Sequence, residues 1–364
     1  MNIMLITAQG DIAGSTNSIF YLARGLSERG HKIVVGCRRE SLLWTLLEGT
    51  KAIRFAMTFK SKFDFKNMRQ IRDACVQHKI QIINAQAGKD RFTTVFSKWR
   101  YGLDVKIVHT RRQMPRYDGG FFENQFYQRG TAKVIAVSEG VKRGLLKKGL
   151  AESHIKVIRN GTPMEKYNLT DTSKTEHIRN RLGIQDHEVV IGCIARKKRQ
   201  EELIAALIHI KRPLRVLFVG IEKEPHYEEL IAQYTSPHIL NFTGTVSGDD
   251  VLYYYPLLKV KILPSRIEGL SQALLESMVM GVPIVATKIA GNLDLIRDGE
   301  NGIFYEFNNP RDLAQKIEKL LDDPALCARI IEKGKKTVED NYKLDRVLDQ
   351  YEVFFNNLIS PQIK

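Results

Sequence analysis

The sequence predicts an α/β protein of two similar halves, each a parallel sheet covered by helices on both faces. Short apolar segments recur along the 364 residues and alternate with segments of helical period. Strands alternating with helices imply parallel sheets. The length suits two domains of ordinary size. Apolar residues at 43% beside 27% charged residues supply enough material for two cores and argue against a disordered chain.

The first half opens on an apolar strand at 3–8, followed by a polar loop with Gly10 and Gly14. Ile19, Leu22, Ala23 and Leu26 then fall at helical spacing. That helix stops at Gly30, and residues 32–36 read as a buried strand. Further apolar strands are expected at 80–84, 105–109 and 133–137. Between Val157 and Pro163 the pattern breaks, because Asn160-Gly161 and Thr162-Pro163 are turn chemistry. The next thirty or so residues are polar and helical, and the linker is placed at about 160–170. The second half repeats the plan, with strands at 189–194, 214–219, 239–242, 260–263 and 284–286 and helices around 201–208, 226–234 and 271–280. An apolar-periodic helix at about 344–358 follows. The simplest architecture is two Rossmann-like domains, 1–165 and 166–340, facing one another across a cleft, with 341–364 as a closing helix. Ligands of open parallel sheets sit beyond the carboxyl ends of the strands, so the cleft is the expected site.

No run approaches the roughly 18 apolar residues of a membrane span. The first residues read as a strand rather than a signal peptide, so a cytosolic protein is expected. Cys37, Cys75, Cys193 and Cys327 lie far apart without CxxC spacing. They read as reduced structural thiols rather than a zinc or disulfide framework. The net charge of +15 is uneven: residues 1–165 hold 29 Lys and Arg against 13 Asp and Glu, while 166–364 hold 27 against 28. A basic body joined to a neutral one points to an anionic partner, whether lipid surface, acidic acceptor or nucleic acid.

The most informative stretch runs from Leu263 to Glu276. A strand ends at Leu263, a loop carries Glu268 and Gly269, and a helix begins near Ser271. Free amides at that N-terminus make an anion site, and Gly269 admits an anion close to the backbone. Glu268 stands where it can accept hydrogen bonds from sugar hydroxyls. Glu276 lies in the helix among Leu274, Leu275 and Met278, where a carboxylate needs a partner. It can grip vicinal hydroxyls as acidic residues grip ribose in dinucleotide folds.

These residues resemble the family 4 retaining glycosyltransferases of GT-B fold, whose motif is Glu-x7-Glu within Ser-x-x-Glu-Gly-Phe/Leu and Glu-Ala-Met. This chain has Ser265-x-x-Glu268-Gly269-Leu270 and Glu276-Ser277-Met278, then Gly281-Val282-Pro283-Ile284-Val285-Ala286-Thr287 and Asp298-Gly299-Glu300-Asn301-Gly302. The resemblance runs over the whole chain and is strongest from about 190 to 305. It implies that Glu276 binds the nucleotide's ribose and Glu268 the donor sugar. The amides of Gly269, Leu270 and Ser271 would hold the diphosphate and sugar. It also implies that the closing helix crosses back to the first domain. The family's Gly-Gly-x-x-Glu is replaced here by Ala290-Gly291-Asn292-Leu293-Asp294, which leaves the role of Asp294 open.

A leaving nucleoside diphosphate gains negative charge, which a metal or fixed cations must stabilise. Arg196 and Lys198 stand at the end of the strand at 189–194, and an Arg and a Lys of this loop do that work in the family. The loop is shorter than the common form, so Lys197 and Arg199 remain alternatives. There is no Asp-x-Asp; Asp249-Asp250 and Asp322-Asp323 are adjacent pairs whose side chains point apart. No cofactor and no metal are therefore expected. Gly244-Thr245-Val246 resembles the family's base-binding turn.

In the first half, Ala13-Gly14 partly matches a Gly-Gly loop that approaches the donor phosphate in the family. His109, in Ile107-Val108-His109-Thr110-Arg111, occupies the place of a family histidine near the reacting sugar. It is assigned a contact with donor sugar or acceptor, not the role of general base, because front-face attack lets the leaving phosphate take the acceptor's proton. Ser138, in Val137-Ser138-Glu139-Gly140-Val141, matches a turn lining the acceptor side. Cations and rings interleave around Lys60, Lys62 and Lys66, at Lys98-Trp99-Arg100-Tyr101 and from Arg111 and Arg112 to Tyr117. That mixture suits an anionic membrane surface.

The resemblance thus implies hexosyl transfer with retention from a UDP-, GDP- or ADP-sugar. The acceptor would be a glycan or a lipid-linked, lipopolysaccharide-type molecule at the inner face of the membrane. A nucleotide-sugar hydrolase or epimerase of the same fold is an alternative. A specific nucleic-acid-binding protein is not expected, since no zinc finger, RNA-binding sheet motif or obvious helix-turn-helix is present.

Overall fold

Central strands of a parallel sheet are buried on both faces and so read as unbroken apolar runs. The run Ile3-Met4-Leu5-Ile6 is wholly buried, and alternation along a strand sends successive side chains to opposite faces. The computed structural model describes residues 1–11, 14–113, 121–233, 237–246 and 248–360. The chain divides into two units, Met1–Pro163 with Asn341–Lys364, and Met164–Asp340.

The first unit holds seven parallel strands: β1 (Asn2–Ile6), β2 (Lys32–Cys37), β3 (Ile53–Ala56), β4 (Ile82–Ala85), β5 (Lys106–Arg111), β6 (Lys133–Ala136) and β7 (Ile155–Val157). Their order is β3-β2-β1-β4-β5-β6-β7. Ile3 and Leu5 pack with Leu22 and Leu26 of the helix Gly14–Glu28 and with Val347, Leu348 and Phe355 of the helix Leu344–Ile359. Met4 and Ile6 face the other way, toward Ile71 and Val95.

The helix Leu344–Ile359 therefore packs within the first unit, as the sequence led us to expect. Its approach is close: a Cβ on Gly25 would lie 2.5 Å from Leu348 Cδ1. The returning chain is tied by Thr162 N–H donating to the Tyr342 carbonyl at 2.8 Å and by Leu344 N–H donating to the Thr162 carbonyl at 3.0 Å. Arg29 pairs with Asp349 and Glu352, each at 2.6 Å.

The second unit holds β8 (Val190–Ile194), β9 (Arg215–Val219), β10 (Ile239–Phe242), β11 (Val260–Leu263), β12 (Ile284–Thr287) and β13 (Ile303–Tyr305), ordered β10-β9-β8-β11-β12-β13 and all parallel. Both units are Rossmann-like. Strand order reverses between β1 and β4 and again between β8 and β11, which is where open α/β sheets bind ligands.

Three strands escape the sequence reading. β3 and β7 are edge strands with part-exposed residues, so neither shows an apolar run, and β7 lies just where the pattern breaks. β13 is buried but only three residues long. The expected helix at 226–234 is described as Pro225–Ala232, and Tyr234 lies outside the described residues.

Candidate active site

β8 and β11 are distant in sequence and adjacent in the sheet, with Val260 beside Ile191 and Lys261 beside Gly192. Their carboxyl ends open side by side at the switch point. The loop after β8 carries the four cations Arg196 to Arg199, and the loop after β11 carries Ser265 to Ser271.

These loops meet at Glu268. Lys198 Nζ lies 2.9 Å from Glu268 Oε1, and the Glu268 side chain is only 11% exposed. Ser265 Oγ donates to the same oxygen at 2.9 Å. Ser265 is itself anchored, its amide donating to Thr287 Oγ1 at the end of β12 at 2.9 Å. Buried Gln200 staples the cationic loop, accepting from the Lys198 amide at 2.7 Å and donating to the Arg196 carbonyl at 3.0 Å. The neighbours turn elsewhere. Lys197 Nζ sits 2.5 Å from Glu224. Arg199 reaches Glu201 and Asn308, each at 2.9 Å. Arg196 is exposed. The short helix Ala290–Leu293 backs the Glu268 loop so closely that a Cβ on Gly291 would lie 2.3 Å from the Glu268 carbonyl oxygen.

The helix Gln272–Val279 buries Leu274, Leu275, Ser277 and Met278. Glu276 sits beside that face with its side chain 13% exposed and both oxygens engaged. Lys166 Nζ lies 3.0 Å from Oε1, and Tyr255 Oη donates to Oε2 at 3.1 Å. Tyr255 Oη also stands 3.1 Å from the Ala273 carbonyl, which accepts from Lys261 Nζ at 2.7 Å. Lys261 has no exposed surface, and burial pushes its pKa down to about 8. Ser271 is buried at the head of this helix and its hydroxyl caps nothing there. First-turn amides lack intrahelical partners by construction, and Gly269 and Leu270 lie half-buried just before them. Gly244 adopts a left-handed φ of 69° with Glu222 hard against it. Val246 is half-buried on the core that holds Tyr255.

Sequence reasoning missed Lys166, Tyr255, Gln200 and Lys261. Only Lys261 left a signal, a charge inside the apolar strand Val260-Lys261-Ile262-Leu263.

In the first unit, Gly14 begins the helix Gly14–Glu28, and its carbonyl accepts from Ser18 Oγ at 2.9 Å; Ala13 lies outside the described residues. His109, on β5, has no exposed surface. Its ring meets Tyr127 edge-on at 5.5 Å, and neither nitrogen has a well-formed hydrogen bond among the described residues. Burial, with Arg91 and Arg111 nearby, holds its pKa well below the ordinary histidine value. A side chain so covered meets a ligand only if its cover moves. Arg111 Nη1 is 3.5 Å from Tyr127 Oη. Arg112 Nη2 donates to Gln86 Oε1 at 2.9 Å and Nη1 to Asn160 Oδ1. Ser138 is buried and caps the helix Glu139–Lys147, accepting from the Val141 amide at 3.2 Å.

Lys60, Lys62 and Lys66 are exposed. Around them Phe63, Phe65 and Trp99 are 59%, 71% and 50% exposed. Phe63 stacks on Phe96 at 4.8 Å, Phe96 meets Trp99 at 5.9 Å, and Lys62 Nζ lies 4.4 Å from the Phe92 ring centre. Met114 to Tyr117 lie outside the described residues.

Comparison with known proteins places this architecture. The family described as Glycosyltransferase Family 4 matches residues 12–166, and Glycosyl transferases group 1 matches residues 174–337. The chain belongs to the family-4-like glycosyltransferases of GT-B fold. The capsular polysaccharide biosynthesis glycosyltransferase CapM of Staphylococcus aureus is 27% identical over 239 residues, 62% of this chain and 62% of that protein. The chain spans 62% of the length of the first curated relatives it matches. Among solved structures, a glycosyltransferase from Rickettsia africae ESF-5 shares the fold with a TM-score of 0.86 at 22% identity, over 99% of both chains. Anabaena HepE in complex with UDP-glucose shares it at 0.81 and 19%, over 98% of this chain and 100% of that one. Among the described residues, no helix of this family member is long and apolar enough to cross a membrane.

Proposed function

We propose that this protein transfers a hexose from a nucleoside-diphosphate sugar to an acceptor hydroxyl, with retention and without a metal ion. The observation that carries the reading is the convergence of Lys198, Glu268 and Ser265 at the β8–β11 switch point. Glu276 stands one helix further on. The UDP-glucose complex of the similarly folded HepE supports a nucleotide-sugar donor.

In this reading Glu276 accepts hydrogen bonds from the ribose hydroxyls, taking them in exchange for or alongside Lys166 and Tyr255. The amides of Gly269, Leu270 and Ser271 receive the diphosphate and sugar. Lys198, with Arg196 from the same loop, stabilises the charge that grows on the leaving diphosphate. Glu268, held by Ser265, orients sugar hydroxyls. The bond from the anomeric carbon to the phosphate oxygen breaks, and the acceptor oxygen bonds to that carbon on the same face. The acceptor's proton goes to the departing phosphate oxygen. His109 is a neutral imidazole, suited to contact substrate rather than to take a proton. Val246 borders the base.

The first unit receives the acceptor, a glycan or lipid-linked molecule, on the side of Arg111, Arg112 and Ser138. Exposed Phe63, Phe65 and Trp99 among Lys60, Lys62 and Lys66 fit an anionic membrane surface, rings entering the headgroup level and lysines meeting phosphates. The protein then works as a cytoplasmic, peripheral enzyme on the inner face of the membrane.

A thermal-shift series with UDP, GDP, ADP and their hexose conjugates, with and without EDTA, tests the donor reading, since a ligand that binds only the folded state raises the Tm. A shift with one nucleotide family that ignores EDTA is expected. No shift with any of them overturns the donor site, and a shift abolished by EDTA overturns metal independence. Charge reversal of Lys60, Lys62 and Lys66 should release the protein from phosphatidylglycerol vesicles.

A further inference from the structure

We infer that the carboxyl ends of β4, β5 and β7 form an anion subsite, built on Arg112, Gln86 and Asn160, for a phosphate or carboxylate carried by the acceptor. The inference rests on the reading of the first unit as the acceptor-binding one, and it adds the acceptor's chemistry.

How the fold treats a buried guanidinium elsewhere sets the standard. Arg215, 7% exposed, lies 2.8 and 2.9 Å from the two carboxylate oxygens of Glu188 and also reaches Asn241 Oδ1 and the Leu182 and Gly183 carbonyls. Among the described residues Arg112 has no such counter-charge. Its Nη2 donates to Gln86 Oε1 at 2.9 Å and its Nη1 to Asn160 Oδ1, and both acceptors are neutral amides. Among the described residues no carboxylate pairs with it. Burial pushes its pKa down, but a guanidinium keeps its proton, so the positive charge stays. Uncompensated buried charge of this kind is costly and collects at functional sites.

The surrounding groups have a surplus of donors. Arg112 Nε, Gln86 Nε2 and Asn84 Nδ2 are all buried without an acceptor among the described residues, while Asn84 Oδ1 already accepts from Thr110 Oγ1 at 2.8 Å. Gln86 is 5% and Asn160 9% exposed. Arg112 itself is half-buried, which leaves a rim where a ligand can arrive. Behind it lies a void of about 10 Å³ lined by Arg112, Arg159, Asn160, Ser18, Gly161 and Tyr351 among others. That is room for one water. The anion therefore meets the accessible side of Arg112, with Arg159 as the second cation nearby. A neutral sugar on that side would leave the charge uncompensated; a phosphate or carboxylate compensates it.

Isothermal titration of the full chain with pyrophosphate tests this. Pyrophosphate also suits the donor site, so Lys198→Met separates the two. Wild type is expected to show two binding events, Lys198→Met to weaken one, and Arg112→Met to weaken the other about tenfold to hundredfold. Arg159→Gln, at a partly exposed position, should weaken that second event by a smaller factor and keeps the test valid if Arg112→Met folds poorly. Pyrophosphate affinities unchanged in both arginine variants overturn the subsite. UDP, GDP and ADP are titrated in parallel: a wild type that ignores all three but binds pyrophosphate through Arg112 sinks the transferase reading and leaves the subsite standing. Vesicles containing phosphatidylglycerol identify the anion's source. Arg112-dependent capture that pyrophosphate competes away points to a lipid phosphate; capture indifferent to Arg112→Met, beside Arg112-dependent pyrophosphate binding, points to a soluble acceptor.

Discussion

Gly291→Ala offers a sharp test of whether the Glu268 loop is held in place by the short helix behind it. The added Cβ would lie 2.3 Å from the Glu268 carbonyl oxygen, 2.5 Å from its carbonyl carbon and 2.9 Å from its Cβ. None of these atoms can swing away by a rotamer change. Normal contact lies near 3.5 Å, so the loop or the helix must shift by roughly 1 Å. Overpacking of this kind costs about 1–3 kcal/mol, a fall in Tm of roughly 3–10 °C for a unit of this size. The catalytic effect is larger, since a displacement of about 1 Å at a positioned group costs on the order of a hundredfold in rate. Glu276 sits in the next helix and is held by Lys166 and Tyr255 rather than by this contact, so nucleotide affinity should change little. The assay is release of nucleoside diphosphate from whichever sugar nucleotide shifts the Tm, with nucleotide affinity measured beside it. A variant that keeps its kcat within about threefold of wild type refutes the claim that the helix positions Glu268.

Other substitutions probe other parts of the site. Lys198→Met should lower kcat about a hundredfold to a thousandfold, while Lys197→Met, whose ammonium faces Glu224, should change it by less than about threefold; equal losses in steady-state kinetics would remove the special place of Lys198. Glu276→Gln should weaken nucleotide binding about tenfold by calorimetry, and an unchanged affinity would end its assignment to ribose. Lys261 predicts a pH dependence of stability. Its folded pKa of about 8 lies below the ordinary lysine value near 10.4. Below pH 8 it is charged in both states and the burial penalty is fully present; between pH 8 and 10.4 only the unfolded state holds the proton, so stability rises with pH. Chemical denaturation of wild type against Lys261→Met should show wild type gaining roughly 2–3 kcal/mol relative to the variant across that window, and parallel curves would contradict the lowered pKa of Lys261.

Much of the site was legible because it is local. Glu268, Gly269, Ser271 and Glu276 lie on one strand, turn and helix, and the spacing itself sets their order along that turn. The structure adds what local spacing cannot carry. Four cations follow β8 in a row, and the resemblance that singled out Arg196 and Lys198 left Lys197 and Arg199 as alternatives. Lys198 is selected by Gln200, which shapes the loop, and by β11, which brings Glu268 beside it. Lys166 and Tyr255 belong to short 3-10 segments with no periodic signal, yet they hold both oxygens of Glu276. Arg112 was visible as one of several basic residues; that its charge lacks a carboxylate among the described residues was not.

The fold class followed from sequence alone because central parallel strands, covered on both faces, are largely apolar, as the buried runs of β1 and β8 are. The edge strands β3 and β7, covered less, carry no such mark. What only the tertiary structure decided is which distant side chains meet. Strand order reverses between β1 and β4 and between β8 and β11, so the partners of each loop come from across a crossover rather than along the chain. Pairing energies between side chains depend on distances of a few ångström, and those distances exist only once the sheet has been assembled.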